Sequence, residues 1–175
     1  MTEKLRKATA KELPALWSFY EAVCAAQAES RYGPSWHMGI YPAIQDLEER
    51  TQAGELCYLP AGEGIAAAAV LAAGEDAMYS GVKWPSGCAA EEVCTLHLFA
   101  VHPAFRRSGI SGQALEALLC RAKVSGFRVM RLDVVKGNLP AERLYLRHGF
   151  RFAEERVVFY EDTGEIGVRL YECVL

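Results

Sequence analysis

LHLFAVHPAFRRSGISGQALEALL, residues 96–119, carries the reading of this chain. An apolar strand runs into a turn with two arginines and two glycines. An amphipathic helix follows, with Ile110, Ala114, Leu115, Leu118, Leu119 and Ala122 at helical spacing. The first N–H groups of a helix have no partner inside it, and the helix dipole favours negative charge there. Gly109 and Gly112 allow close approach to the backbone, and Arg106 and Arg107 add positive charge beside it. Such a unit can cradle a diphosphate. It is not the loop of nucleotide hydrolases, because the Gly-Lys-Ser/Thr ending is missing. Taken alone, the segment reads equally as an ordinary strand-to-helix turn with exposed arginines.

Outward from this unit the order stays regular. The helix covers about 110–123, Gly126 stops it, and a strand is predicted over 129–135. A second helix covers about 140–147 and ends at Gly149; strands over 156–160 and 166–174 are joined by the turn Glu161-Asp162-Thr163-Gly164. Upstream, a short strand over 5–8 precedes a Thr9-x-x-Glu12 capping box and a helix with Leu13, Leu16, Trp17, Tyr20 and Cys24 on one face. Pro42 opens another helix, with Ile44, Leu47 and Thr51 aligned until Gly54. Apolar runs over 56–59 and 65–72, joined by 60–64, read as a hairpin, although alanine is a poor strand former. The stretch 74–91 reads as a long loop, yet it holds Tyr79 and Trp84, which a plain solvated loop does not need. A meander of strands followed by alternating helix and strand implies an α/β (α+β) mixed sheet with helices on its faces.

With 175 residues, 51% of them apolar, the chain suffices for a single domain over 1–175 with its own core. It has 19 basic and 22 acidic residues, a net charge of −3, and the basic ones are scattered except for the Arg106-Arg107 pair. That argues against nucleic acid or membrane as partner, since both ask for a basic face. The opening MTEKLRKATAKEL lacks the apolar stretch of a signal peptide, and no apolar run long enough to span a membrane follows. A cytoplasmic protein is expected. Cys24, Cys57, Cys88, Cys94, Cys120 and Cys173 are widely spaced, without a C-x-x-C pair or a histidine placed to complete a zinc site. Reduced thiols and no metal are expected, and a homodimer is left open.

Three stretches carry a resemblance: Phe99-Ala100-Val101-His102-Pro103, Arg106-Arg107-Ser108-Gly109-Ile110-Ser111, and GNLPAERLYLRHGF over 137–150. In order and spacing, residues 93–150 resemble the GCN5-related N-acetyltransferase (GNAT) family. Its pattern is an L-A-V-x-P strand end, then Arg/Gln-x-x-Gly-x-Gly/Ala, and later Asn, Ala, Leu-Tyr and Gly-Phe. Ser111 departs from the Gly or Ala the family prefers, but it is small and can itself donate a hydrogen bond to phosphate. Residues 36–42 and the two early helices look like the substrate-side insertion of bacterial members.

The resemblance implies an acyl-CoA N-acyltransferase fold. In it a mostly antiparallel sheet contains a central parallel pair that splays where the 93–101 strand leaves its neighbour, with about four helices around it. It implies acetyl-CoA (coenzyme A) as cofactor. By position, Arg106, Arg107, Ser108, Gly109, Ile110, Ser111 and Gly112 would hold the diphosphate. Phe99, Ala100, Val101 and Asn138 would contact the cofactor arm, and Tyr145 would lie near the sulfur. The activity implied is acetyl transfer to a primary amine of a small molecule or peptide by direct attack. The alternative is a non-catalytic acetyl-CoA-binding sensor or interaction protein on the same fold.

Direct attack needs a neutral amine, a polarised carbonyl and a proton for the leaving thiolate. Tyr145, a protonated phenol at neutral pH, suits the last role; it also fits a core tyrosine on its helix. The acidic base of histone-modifying relatives corresponds to Thr95, which cannot act as one. His97, two residues on and so on the same face, suits proton acceptance; it also fits a buried, satisfied histidine. Trp36, Tyr41, Tyr79 and Trp84 are candidates for the acceptor cleft or for core beneath the insertion and the long loop. Glu92 could bind a cationic acceptor, or simply end a solvated acidic loop.

Overall fold

Thr9 and Glu12 close on each other as their spacing predicts: the Thr9 hydroxyl and N–H both donate to Glu12 Oε2, at 2.6 and 2.8 Å. In this computed structural model, which describes residues 4–161 and 163–175, that contact stands just ahead of helix α1 (Leu13–Gln27), and a short strand β1 (Arg6–Lys7) precedes it. Helix α2 (Ile44–Gln52) follows. Then come strands β2 (Leu56–Ala61), β3 (Gly64–Ala73) and β4 (Val93–Val101), helix α3 (Ile110–Val124), strand β5 (Val129–Val135), helix α4 (Leu139–Arg147), and strands β6 (Arg151–Tyr160) and β7 (Gly164–Val174).

These seven strands form one sheet in the order β1-β2-β3-β4-β5-β7-β6, and the β4–β5 pair alone is parallel. The fold is therefore the mixed, mostly antiparallel sheet with a central parallel pair and four helices that the resemblance implies. On one face Leu115, Leu118 and Ala122 of α3 and Tyr145 of α4 pack with Cys94, Leu96, Met130 and Leu132. On the other, Leu16, Phe19, Tyr20 and Val23 of α1 and Leu47 of α2 pack with Leu56, Tyr58, Val70 and Leu98. The alanine-rich β3 lies between, buried along nearly its whole length, with α1 and α3 both in contact with it. A strand covered on both faces is selected for volume that lets two helices approach, which outweighs alanine's weak strand preference.

Three boundaries differ from the sequence reading. The second helix begins at Ile44 rather than Pro42, with Asp46 accepting from Ala43 N–H at 2.8 Å. The β2–β3 hairpin closes on Gly62 and Glu63, and Pro60 belongs to β2, beside an irregular step in register. Strand β6 starts at Arg151, five residues earlier than expected, and pairs with β7 from Arg151↔Glu172 to Tyr160↔Gly164. It is an edge strand of the sheet, and the charged run Glu154-Glu155-Arg156 interrupts its apolar pattern, so its first half reads as loop. Asp162, in the turn expected there, lies outside the described residues.

The 74–91 loop is pinned to the sheet by a charge. Arg131 of β5 is 2% exposed, and Glu75 at 2.8 Å and Glu172 at 3.5 Å neutralise it. It also donates to the Cys88 carbonyl at 3.3 Å and lies 4.4 Å from the Trp84 ring centre. Ser86 bonds Glu172 through both its N–H and its hydroxyl. A buried guanidinium is tolerated only when so surrounded. No helix among the described residues is long and apolar enough to cross a membrane.

Candidate active site

The cavity begins where β4 and β5 part. They pair at Val93↔Val129, Cys94↔Met130 and Thr95↔Arg131, after which β4 continues along β3 and β5 along β7. Opposite Ala69 of β3, β4 carries an extra residue, and Leu98 there adopts φ 51°. A bulge of this kind bends its strand. The Tyr20 hydroxyl fixes it by donating to the Leu98 carbonyl at 2.9 Å. From residue 96 to 101, the β4 edge facing β5 has no strand partner, so its polar groups await another chain or a ligand. The space between is a cavity of about 480 Å³ whose walls include Phe99, Ala100, Val101, Arg106, Asn138 and Tyr145.

At its mouth the chain turns through Pro103–Phe105, where His102 Nδ1 accepts from Ala104 N–H at 3.2 Å. Arg107 (φ 63°) and Gly109 (φ 83°) are both left-handed, and Gly109 is the N-cap of α3. Gln113 N–H, which reaches Gly109 O at 3.2 Å, is the first donor of this helix with a backbone acceptor. Among the described residues, the N–H groups from 107 to 112 have none. Ser108 turns its hydroxyl to the Phe105 carbonyl. A Cβ at Gly112 would lie 3.4 Å from His148 Nε2, an ordinary contact. The run of free donors beside Arg106 and Arg107 fits a diphosphate, and the bare β4 edge fits an amide-bearing arm. Coenzyme A has both, so the donor set suits it.

Tyr145 projects from α4 between Phe99 and Phe150, with ring centres 6.3 and 5.3 Å away. The residue is 7% exposed, its hydroxyl has no hydrogen-bond partner among the described residues, and it lines the cavity. Burial, and secondarily the charge of Asp133, raises its pKa, so the phenol keeps its proton. His97 lines the same cavity, its Nε2 3.6 Å from Asp76 Oδ2. Burial lowers its pKa below the ordinary 6.5, against the opposing pull of Asp76 and Asp133, and leaves a neutral imidazole able to accept a proton. The Thr95 hydroxyl donates to the Gly74 carbonyl at 2.8 Å and is occupied.

Trp36 and Tyr41 line the cavity, edge to face 6.4 Å apart. Tyr79, Trp84 and Glu92 do not. The Tyr79 side chain is buried and donates to Asp133 Oδ1 at 2.6 Å; Trp84 stacks on Arg131; Glu92 pairs with Arg128 at 2.7 Å. The charged face of β5 claims both loop aromatics. Sequence reasoning missed Asp46, Arg50, Asp76, Asp133 and Tyr160, all in the cavity wall. A carboxylate inside the apolar strand VMRLDVV was a visible signal for Asp133; Asp76 gave none.

A family model described as acetyltransferase (GNAT) family matches residues 16–150. No curated protein sequence matches. Solved structures that share the fold include a GNAT-family acetyltransferase of Streptococcus agalactiae (TM-score 0.82, 18% identity, 98% of this chain and 95% of that one). The ribosomal-protein-S18-alanine N-acetyltransferase of Escherichia coli aligns with TM-score 0.69 and 19% identity over 98% of this chain and 93% of the other. The yncA structure of Salmonella typhimurium, with its cofactor acetyl-CoA, aligns with TM-score 0.71 and 14% identity over 100% and 95%.

Proposed function

The chain belongs to the acetyltransferase (GNAT) family, and from that premise we propose that it moves the acetyl group of acetyl-CoA onto a primary amine by direct attack. One observation carries the reading. The bare edge of β4, the unpartnered Tyr145 hydroxyl and the neutral His97 share one cavity with Arg106, and the unpaired donors of residues 107–112 follow directly on Arg106. Acetyl-CoA supplies an activated thioester carbonyl. The N–H groups of 107–112 with Arg106 and Arg107 hold the diphosphate, and main-chain groups of residues 99–101 with Asn138 hold the arm. His97 takes a proton from the amine nitrogen, which must be neutral to attack; Tyr145 gives one to the sulfur as the carbon–sulfur bond breaks. The new nitrogen–carbon bond and the freed thiol complete the exchange, and solvent returns both side chains to their starting states.

The acceptor enters from the side of Trp36 and Tyr41. Thiol release from acetyl-CoA with a panel of primary amines tests the proposal. Tyr145→Phe lowers kcat by about 10²-fold or more while acetyl-CoA affinity changes little. Coenzyme A binding without release for any amine, unaltered by that substitution, would favour a non-catalytic binder instead.

A further inference from the structure

The acceptor end of the cavity holds three carboxylates that pair with no lysine or arginine among the described residues. Asp46 of α2, Asp76 of the 74–91 loop and Asp133 of β5 all line it. Their hydrogen bonds come from neutral donors: Ala43 N–H to Asp46 and Met78 N–H to Asp76, both at 2.8 Å, and the Tyr79 and Tyr160 hydroxyls to Asp133 at 2.6 and 3.0 Å. His97, beside Asp76, is kept neutral by burial. The cation at this end, Arg50, is committed to Glu55 at 2.7 Å, and Arg106 belongs to the diphosphate loop. The Tyr41 hydroxyl registers the balance. After burial, Asp133 and then Asp46 push its pKa up, each more strongly than Arg50 pulls it down.

Two polar groups in the cavity wall also have no partner among the described residues: the hydroxyl of Tyr145, itself 7% exposed, and the buried Thr163 Oγ1. Half-buried carboxylates with no lysine or arginine partner among the described residues, flanked by Trp36, Tyr41 and Tyr160, suit a cationic guest. The nitrogen that receives the acetyl group cannot be that cation, because it must be uncharged to attack. A second positive group on the same molecule can be. The cavity's 480 Å³ also has to admit the cofactor arm, which leaves room for a short acceptor.

We infer that the acceptor is a small diamine, a primary amine with a second ammonium a few bonds away that is seated among Asp46, Asp76 and Asp133. This rests on the acetyl-transfer reading and adds the acceptor's class to it. An acceptor with a carboxylate tail meets like charge and is rejected.

Three amines of matched length test it: 1,4-diaminobutane, butylamine and 4-aminobutanoate, with cationic, neutral and anionic tails. In the thiol-release assay kcat/KM is expected to be highest for the diamine, by about tenfold or more over butylamine, and lowest for 4-aminobutanoate. Asp46→Asn keeps an oxygen for the Ala43 N–H and narrows the ratio of diamine to butylamine by about threefold or more. Calorimetric titration of 1,4-diaminobutane into the protein with coenzyme A present gives a readout independent of turnover; binding is expected, and it weakens in Asp46→Asn. Equal kcat/KM for the three amines, or preference for 4-aminobutanoate, overturns the inference and leaves acetyl transfer standing. Absence of thiol release with every amine overturns acetyl transfer, and this inference with it.

Discussion

Beside the α3 end of the cavity, the groups proposed to bind the cofactor are main-chain donors from one run of sequence, residues 107–112, shaped by left-handed Arg107 and Gly109. At the opposite end the groups proposed to meet the acceptor are side chains, Asp46, Asp76, Asp133 and His97, delivered by α2, a loop, β5 and β4. The first end depends on backbone conformation and tolerates most side-chain changes. The second depends on which side chain stands at each position and on whatever holds those segments together. On the proposed reading the chemistry at the cofactor end is set by the fold, whereas acceptor choice can change by single substitutions without disturbing it.

Substitutions can break this division or sharpen it. The largest effect is expected from Arg131→Ala, which leaves the 3%-exposed Glu172 without its buried counter-ion and frees the loop bearing Asp76. Urea denaturation should register a loss of about 3–5 kcal/mol, and amine KM should rise more than acetyl-CoA KM; equal rises would break the division. Next comes Gly109→Val, which forces a β-branched residue to φ 83° at a cost of about 1–2 kcal/mol. Calorimetry with coenzyme A should register about a tenfold loss of affinity from displaced N–H groups, with amine KM unchanged.

The smallest effect concerns pH. Because burial disfavours the charged imidazole, His97 holds its proton less tightly than an ordinary histidine and stays neutral to lower pH. The acid limb of the kcat profile should therefore inflect below pH 6.5, and His97→Ala should flatten it. An inflection above 6.5, or a limb that persists in the variant, removes His97 as the base.

The same division explains what the sequence disclosed. The strand, turn and helix over 96–119 are contiguous, so spacing made the loop a candidate, and the resemblance carried by the order of motifs to Phe150 favoured it and pointed to Tyr145. The acceptor end is built from segments far apart in the chain, and no local pattern marks Asp76 or Tyr160. Tyr79 and Trp84 stood out as aromatics a loop does not need, but their partners were hidden. Arg131 and Asp133 share one face of β5, and each charge recruits a loop aromatic: Trp84 over the guanidinium and the Tyr79 hydroxyl on the carboxylate. The early start of β6 was missed because the charged run Glu154-Glu155-Arg156 breaks the apolar pattern of this edge strand.

Amide hydrogen exchange with and without coenzyme A tests the central claim most directly, since it reads the main-chain donors themselves. Added coenzyme A should slow exchange at residues 107–112 and along the free edge of β4. Binding that leaves those amides exchanging as fast as in the free protein, or no binding to the folded chain, would contradict the account.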